Sequence, residues 1–331
     1  MAEGYVSAGT GEKLLDVQHL QTHFFTRSGI AKSVEDVSFT IDAGETMGLV
    51  GESGCGKSVT SLSIMRLVDR PGKIVGGKIY FKGDDIIEMD EEDLHKLRGG
   101  QIAMIFQDPM TSLNPVHTVG FQISEAVKAH LKLDDRAATN RALEMMERVR
   151  IPEAKRRMDH YPHEFSGGMR QRVMIAIALS CNPQLIIADE PTTALDVTIQ
   201  AQVLDLMKGL ATEFRTATLL ITHDLGVVAG SCEHVAVMYA GRIVETAPTS
   251  TLFSQPAHPY TQALLNAVPR PDTPRGTKLT AIGGQPPNLV NLPMGCTFAP
   301  RCRKAQPRCR AERPLLENVA PNQKVACFYP Y

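Results

Sequence analysis

The period of apolar and polar residues changes along the chain, and each change predicts a different kind of element. Up to residue 105 the pattern is mainly that of strands. Alternation at 14–17 and 37–41 predicts half-exposed antiparallel strands, because successive side chains of a strand face opposite sides. Residues 46–50 are a short apolar run ending at a glycine loop, the pattern of a buried parallel strand. From 57 to 67 apolar positions recur at helical spacing, so strand, loop and helix follow one another directly. Between about 110 and 182 the chain turns helical, with predicted helices at 120–133 and 136–150 punctuated by Pro152, Pro162 and Pro183. The apolar run at 173–179 reads as a buried helix. Parallel-strand patterns return at 184–188 and 218–221, with a helix at 198–214 between them. Beyond about 250 the chain is proline-rich and loop-like except for a helix at 260–267. A mostly helical insert within an α/β core is the plan these patterns imply.

Composition narrows the function classes. The 331 residues suffice for one large domain or two unequal ones, and burying a core is no difficulty. A formal net charge of -1 gives no support for a nucleic-acid binder, and the absence of tryptophan argues against a base-stacking platform. No apolar run approaches the ~18 residues a membrane span needs. The opening Met1-Ala2-Glu3-Gly4-Tyr5 lacks the basic-then-apolar pattern of a secretory signal, so a soluble, cytoplasmic protein is expected. Cys55, Cys181 and Cys232 are scattered, whereas Cys296, Cys302, Cys309 and Cys327 crowd the C-terminal end. In a cytoplasmic protein such a cluster favours metal over disulfides.

The candidate chemistry begins at Gly51-Glu52-Ser53-Gly54-Cys55-Gly56-Lys57-Ser58, which fits the phosphate-binding loop G-x-x-x-x-G-K-[ST]. Its glycines let backbone N–H groups close around phosphate oxygens at a helix N-terminus, where the helix dipole favours anions. Lys57 is expected to reach the β- and γ-phosphates and the Ser58 hydroxyl to ligate magnesium. Gly51, Ser53, Gly54, Cys55, Gly56 and the following Val59 complete the expected nucleotide contacts, with no thiol chemistry assigned to Cys55. A second apolar strand, Leu185-Ile186-Ile187-Ala188-Asp189-Glu190, delivers two carboxylates at its C-terminal end, where ligands bind in α/β sheets. Asp189 is expected to hold magnesium through water, and Glu190 to orient and polarise the attacking water.

A third motif makes the family resemblance specific. Phe165-Ser166-Gly167-Gly168-Met169-Arg170-Gln171-Arg172 resembles the signature of ATP-binding-cassette (ABC) ATPases. It departs from the commonest Leu-Ser-Gly-Gly-Gln form at Phe165 and Met169. Ser166, Gly167 and Gly168 are expected to open a helix running to Leu179 and to face the nucleotide of an opposing subunit. By the same resemblance Gln107 is the glutamine-loop residue that senses γ-phosphate and magnesium, Asp196 the D-loop aspartate and His223 the switch histidine. Phe24 is the expected adenine-stacking aromatic, with Phe25 as rival. The resemblance implies an ABC-type phosphate-loop core, a RecA-like parallel sheet plus an antiparallel β subdomain. An inserted α-helical subdomain and a loop-rich C-terminal extension complete it. The expected boundaries are 1–255 for the ATPase domain, about 108–182 for the helical subdomain and 256–331 for the extension.

Three stretches point to a subfamily: 107–115, 188–198 and 258–265. They look like the ATP-binding subunits of bacterial oligopeptide, dipeptide and nickel importers, closest to the peptide type. The resemblance implies ATP and magnesium, a second homologous ATPase as heterodimer partner, two permease subunits and an extracytoplasmic peptide-binding protein. No nucleic acid is expected. It places the chain peripherally on the cytoplasmic face of the bacterial inner membrane, leaving the transported solute open. The spacing of Cys296, Cys302, Cys309 and Cys327 lacks the tight C-x2-4-C pairs of most zinc sites. From the residues alone an iron–sulfur cluster, zinc and unligated thiols all stand. The resemblance implies a 4Fe-4S cluster; Arg301, Arg303, Lys304, Arg308 and Arg310 lie among these cysteines and are expected to offset its negative charge. Two rivals are a soluble ABC ATPase of DNA repair or translation, and a regulatory module that holds ATP without turnover. The former usually carries two cassettes or a long coiled coil; Lys57, Asp189, Glu190 and His223 argue against the latter.

Overall fold

A computed structural model describes residues 12–193, 195–267 and 282–331; Ala194, in the Ala194-Leu195-Asp196 motif, and parts of the expected terminal segments lie outside them. In chain order the described strands are β1 (Lys13–Thr26), β2 (Gly29–Asp42), β3 (Thr46–Val50), β4 (Gly72–Phe81), β5 (Asp84–Asp85) and β6 (Ile102–Ile105). They continue as β7 (Leu185–Asp189), β8 (Ala217–Thr222), β9 (His234–Tyr239), β10 (Arg242–Pro248), β11 (Glu317–Ala320) and β12 (Gln323–Val325). Two compact units divide the chain.

Among the described residues one unit comprises 15–40, 46–87, 221–267 and 282–331. Its strand order is β5-β4-β1-β2-β10-β9-β3, with β12 on β10 and β11 on β12. β1 and β4 pair antiparallel from Leu15↔Phe81 to Phe24↔Gly72, and Leu15, Val17 and Leu20 face the core. β3 runs parallel to β9, with Val50 opposite Val237, and is buried over its last four residues. This is why it reads as continuous rather than alternating hydrophobicity. At its end the chain turns through the glycine loop into the helix Lys57–Ile64.

Among the described residues the other unit comprises 12–14, 41–45, 88–193 and 195–220, and carries β6, β7 and most of β8 together with the helical insert. β6 and β7 are parallel, Ile105 opposite Ala188, and every residue of β7 is buried. The insert's helices start on side-chain caps. Thr118 accepts from Phe121 N–H before Val119–Leu131, and Asp134 from Ala137 N–H before Asp135–Arg148. These two helices pack on each other, the second also packs on Gly167–Leu179, and its Ala138, Ala142, Met145 and Met146 are buried.

The stretch beyond 250 is less loop-like than its prolines imply. The expected helix is present at Pro259–Ala267, but β11 and β12 form a hairpin, and Val325 registers against Glu245 of β10. Strands of three or four residues are too short to display a period. No described helix is long and apolar enough to cross a membrane.

Candidate functional site

The phosphate loop is shaped by its contacts before any ligand is considered. Gly56 has φ of 111°, a left-handed conformation open to glycine, and a Cβ there would lie 2.2 Å from the Ser33 carbonyl oxygen. Lys57 is 4% exposed, and its Nζ donates to the carbonyls of Gly51 at 2.8 Å and Glu52 at 3.1 Å. Cys55 is buried, and desolvation pushes its thiol above the ordinary range, which favours the protonated form. Ser58 and Val59 lie in the first turn of Lys57–Ile64, whose N-terminal amides face the loop.

In the same unit, His223 is exposed and precedes the helix Leu225–Ser231 capped by Asp224. Phe24 is half-buried opposite Gly72, where an added Cβ would sit 2.8 Å from its Cε1. Phe25 is 45% exposed, with Lys73 Nζ 6.0 Å from its ring centre.

The second unit gathers the carboxylates. Asp189 ends β7 and is 7% exposed. Glu190 follows with φ of 47°, an uncommon conformation for a non-glycine residue and one that recurs at functional sites. Its Oε2 accepts from Gln107 Nε2 at 3.1 Å and from Thr193 Oγ1 at 2.9 Å. Two residues that lie far apart in the sequence thus meet at one carboxylate oxygen.

The signature helix belongs to the same unit. Ser166 is the N-cap of Gly167–Leu179, its hydroxyl accepting from Met169 N–H at 3.4 Å. Ser166 and Gly167 are exposed, so the helix's amide end faces outward, as an anion site requires. A Cβ on Gly168 would lie 2.6 Å from Ile199 Cγ2, in the first turn of the helix Val197–Phe214 that Asp196 caps. The glycine therefore sets how closely the signature and D-loop helices approach. Phe165, one of the two departures from the common signature, is 3% exposed and serves the core.

The four C-terminal cysteines line one apolar cavity together with His258, Phe298, Lys304 and Phe328. Burial raises the thiols of Cys296 and Cys302 above their ordinary range and Cys327 to about 11. Burial also drops His258 to about 3, keeping it neutral. Among the described residues no group of three His, Cys, Asp or Glu side chains is arranged to hold a metal ion. The basic residues expected to offset a cluster's charge are partly engaged elsewhere. Arg308 pairs with Glu312 and covers the Phe328 ring at 4.1 Å, Lys304 donates to the Pro330 carbonyl, and Arg301 is bound to Glu52. No contiguous motif shows the pairing of Glu52 with Tyr260 and Arg301, or of Glu245 with Gln323, because these partners lie far apart in the chain.

Comparison with known proteins identifies the family. Residues 34–193 match the ABC transporter family, and 244–309 match the oligopeptide/dipeptide transporter C-terminal region. The chain is 53% identical over 316 residues to a probable peptide ABC transporter ATP-binding protein, y4tR, of Sinorhizobium fredii, covering 95% of this chain and 94% of that one. It is 52% identical over 317 residues to the oligopeptide transport ATP-binding protein OppD of Salmonella typhimurium, covering 96% and 94%. The oligopeptide transport protein AppD of Bacillus subtilis is also 52% identical, over 95% of this chain and 96% of its own. Among solved structures, the ATP-binding cassette MJ0796 in its dimeric, post-hydrolysis form bound to ADP and phosphate superposes with a TM-score of 0.64. Identity to it is 27%, over 71% of this chain and 98% of that one. The cassette CbiO1 of Clostridium perfringens gives a TM-score of 0.63 at 26% identity, over 73% and 91%.

Proposed function

This chain belongs to the ATP-binding subunits of ABC transporters, and on that premise we propose that it powers the import of di- or oligopeptides by hydrolysing ATP. The observation that carries the catalytic reading is the Gln107–Glu190 hydrogen bond beside the buried Asp189. The peptide reading is supported by similarity to peptide-transport subunits across nearly the whole chain, the C-terminal region included.

The roles follow from the residues' chemistry. The amides of the phosphate loop and the Lys57 ammonium bind the β- and γ-phosphates. Ser58, Asp189 and Gln107 offer hard oxygen donors that would hold a magnesium ion, which when bound offsets phosphate charge. Glu190, oriented by Gln107 and Thr193, draws a proton from the attacking water, and His223 donates toward the γ-phosphate. Phe24 stacks on adenine. Ser166, Gly167 and Gly168 complete the site of a second cassette, and Asp196 holds the start of the helix packed behind them. Each chain carries one phosphate loop and one signature, so a homologous ATPase completes two sites.

Transmembrane permeases are the partners of such subunits. We place the docking of two permeases at the segment after Gln107, where Met110 is 63% and Val116 73% exposed. An extracytoplasmic peptide-binding protein would complete the importer at the inner membrane, with this chain on its cytoplasmic face. Domain limits of 1–255 and 256–331, with the helical insert at 108–182, suit this division of labour.

For the cysteines we propose the 4Fe-4S cluster rather than zinc. The four thiols line one cavity, and soft thiolate ligands in that number suit such a cluster. Cys296, Cys302, Cys309 and Cys327 would hold it, and its contribution is structural.

The test of function is a mild-detergent pull-down of this chain from its native membranes, with partners identified by mass spectrometry. Recovery of two permeases, a second ATPase and a peptide-binding protein is expected. Recovery from the soluble fraction alone, without membrane proteins, would overturn the transport reading.

A further inference from the structure

Glu52, the second residue of the phosphate loop, is held by groups that the sequence places far away. Its backbone N–H donates to the Tyr260 hydroxyl oxygen at 2.9 Å, so this amide points at the tyrosine. Its carboxylate accepts a forked pair of bonds from Arg301, Nη1 to Oε2 at 2.6 Å and Nη2 to Oε1 at 2.9 Å. Its carbonyl accepts from Lys57 Nζ, the ammonium that must also meet phosphate. Displacing Glu52 therefore displaces a partner of Lys57.

Arg301 is itself fixed. Its side chain is 4% exposed, and Nε donates to the Gly283 carbonyl at 2.9 Å. Its guanidinium lies 5.8 Å from the Tyr239 ring centre and 6.0 Å from that of Phe298. Tyr239, Tyr260 and Phe298 pack against one another with ring centres 4.6 to 5.3 Å apart. A planar fork held in this way matches a carboxylate in a single orientation, which a lysine cannot do. The clamp is built from the C-terminal extension and acts on the nucleotide loop of the same unit.

We propose that Arg301 and Tyr260 are positioning residues for ATP. Through Glu52 the extension fixes the phosphate loop, and with it Lys57, in the conformation that binds nucleotide. This deepens the reading of 51–58 as an ATP site and rests on it.

The test measures the MgATP Kd of the full-length chain by isothermal titration calorimetry, with thermal midpoints recorded alongside. Arg301→Met raises Kd about tenfold, in the range of coupling between distant sites. Arg301→Lys recovers only part of the affinity. Glu52→Gln weakens binding as well, and the double variant is no weaker than the worse single one, because both break the same bond. Lys324→Met, an exposed change in the same extension, leaves Kd unaltered. In the assembled transporter Arg301→Met raises KM for ATP while kcat is nearly unchanged, the pattern of lost ground-state binding. A folded Arg301→Met protein with wild-type Kd overturns the proposal, even if its thermal midpoint falls. Additive losses in the double variant overturn it too. If the Arg301 variants do not fold, Tyr260→Phe removes one hydroxyl, and an unchanged Kd there is equally decisive. Failure of the wild-type chain to bind MgATP would instead refute the ATP site itself.

Discussion

Glu190 is constrained in both backbone and side chain. A φ of 47° turns it away from the strand direction of β7, and Gln107 and Thr193 converge on one of its oxygens. That leaves the carboxylate aimed by its neighbours rather than free to choose a rotamer. Glutamine has nearly the same shape and can still accept from Gln107, but it cannot take a proton from water. Glu190→Gln should therefore retain MgATP binding while hydrolysis at the sites it serves falls about 100-fold, within the usual worth of a general base. Steady-state phosphate release by the assembled transporter checks this. Wild-type turnover would remove Glu190 from the catalytic role.

At the scale of elements, β10 is the seam between the sheet and the C-terminal extension. Glu245 on this strand is fully buried, and its carboxylate accepts from Ala257 N–H and His258 N–H at 2.8 Å each and from Gln323 Nε2 at 2.9 Å. One side chain thus satisfies the chain reversal before Pro259–Ala267 and joins it to β12. Glu245→Ala leaves these buried donors without an acceptor, which should cost about 3 kcal/mol of stability. Chemical denaturation of the full chain gives the number, and Glu245→Gln, which keeps one acceptor oxygen, should lose less. A midpoint unchanged in Glu245→Ala would mean that the seam is held by packing alone. The same seam explains why the extension does not behave as an appended tail: Tyr260, Phe298 and Val325 are buried within the unit that holds the phosphate loop.

For the whole molecule, the chemistry is divided between two units. The phosphate loop, His223 and the cysteine cavity belong to one, while Gln107, Asp189, Glu190 and the signature belong to the other. The cysteine cavity adds a test at this scale. Purified without oxygen, the chain should be brown and carry about four irons, and Cys302→Ser together with Cys327→Ser should abolish both. A colourless, iron-free protein would sink the cluster, and one zinc per chain would replace it.

Much of the nucleotide chemistry was readable from contiguous sequence, for a physical reason. A phosphate loop, a strand ending in Asp189-Glu190 and a capped helix at Ser166 each complete their local geometry within a few residues. Their period and caps are therefore visible in one dimension, as are the helices of the insert. The strands β4, β9 and β10 and the hairpin of β11 and β12 were not read. Their order in the sheet depends on partners elsewhere, and the shortest show no period. Convergence across the chain was equally hidden. Gln107 reaches Glu190 and Arg301 reaches Glu52 only because folding carries distant segments to the same place. Its place among the cysteines in the sequence suggested that Arg301 would balance thiolate charge. Packing against Tyr239 and Phe298 turns it toward the phosphate loop instead, and that is a property of the folded chain alone.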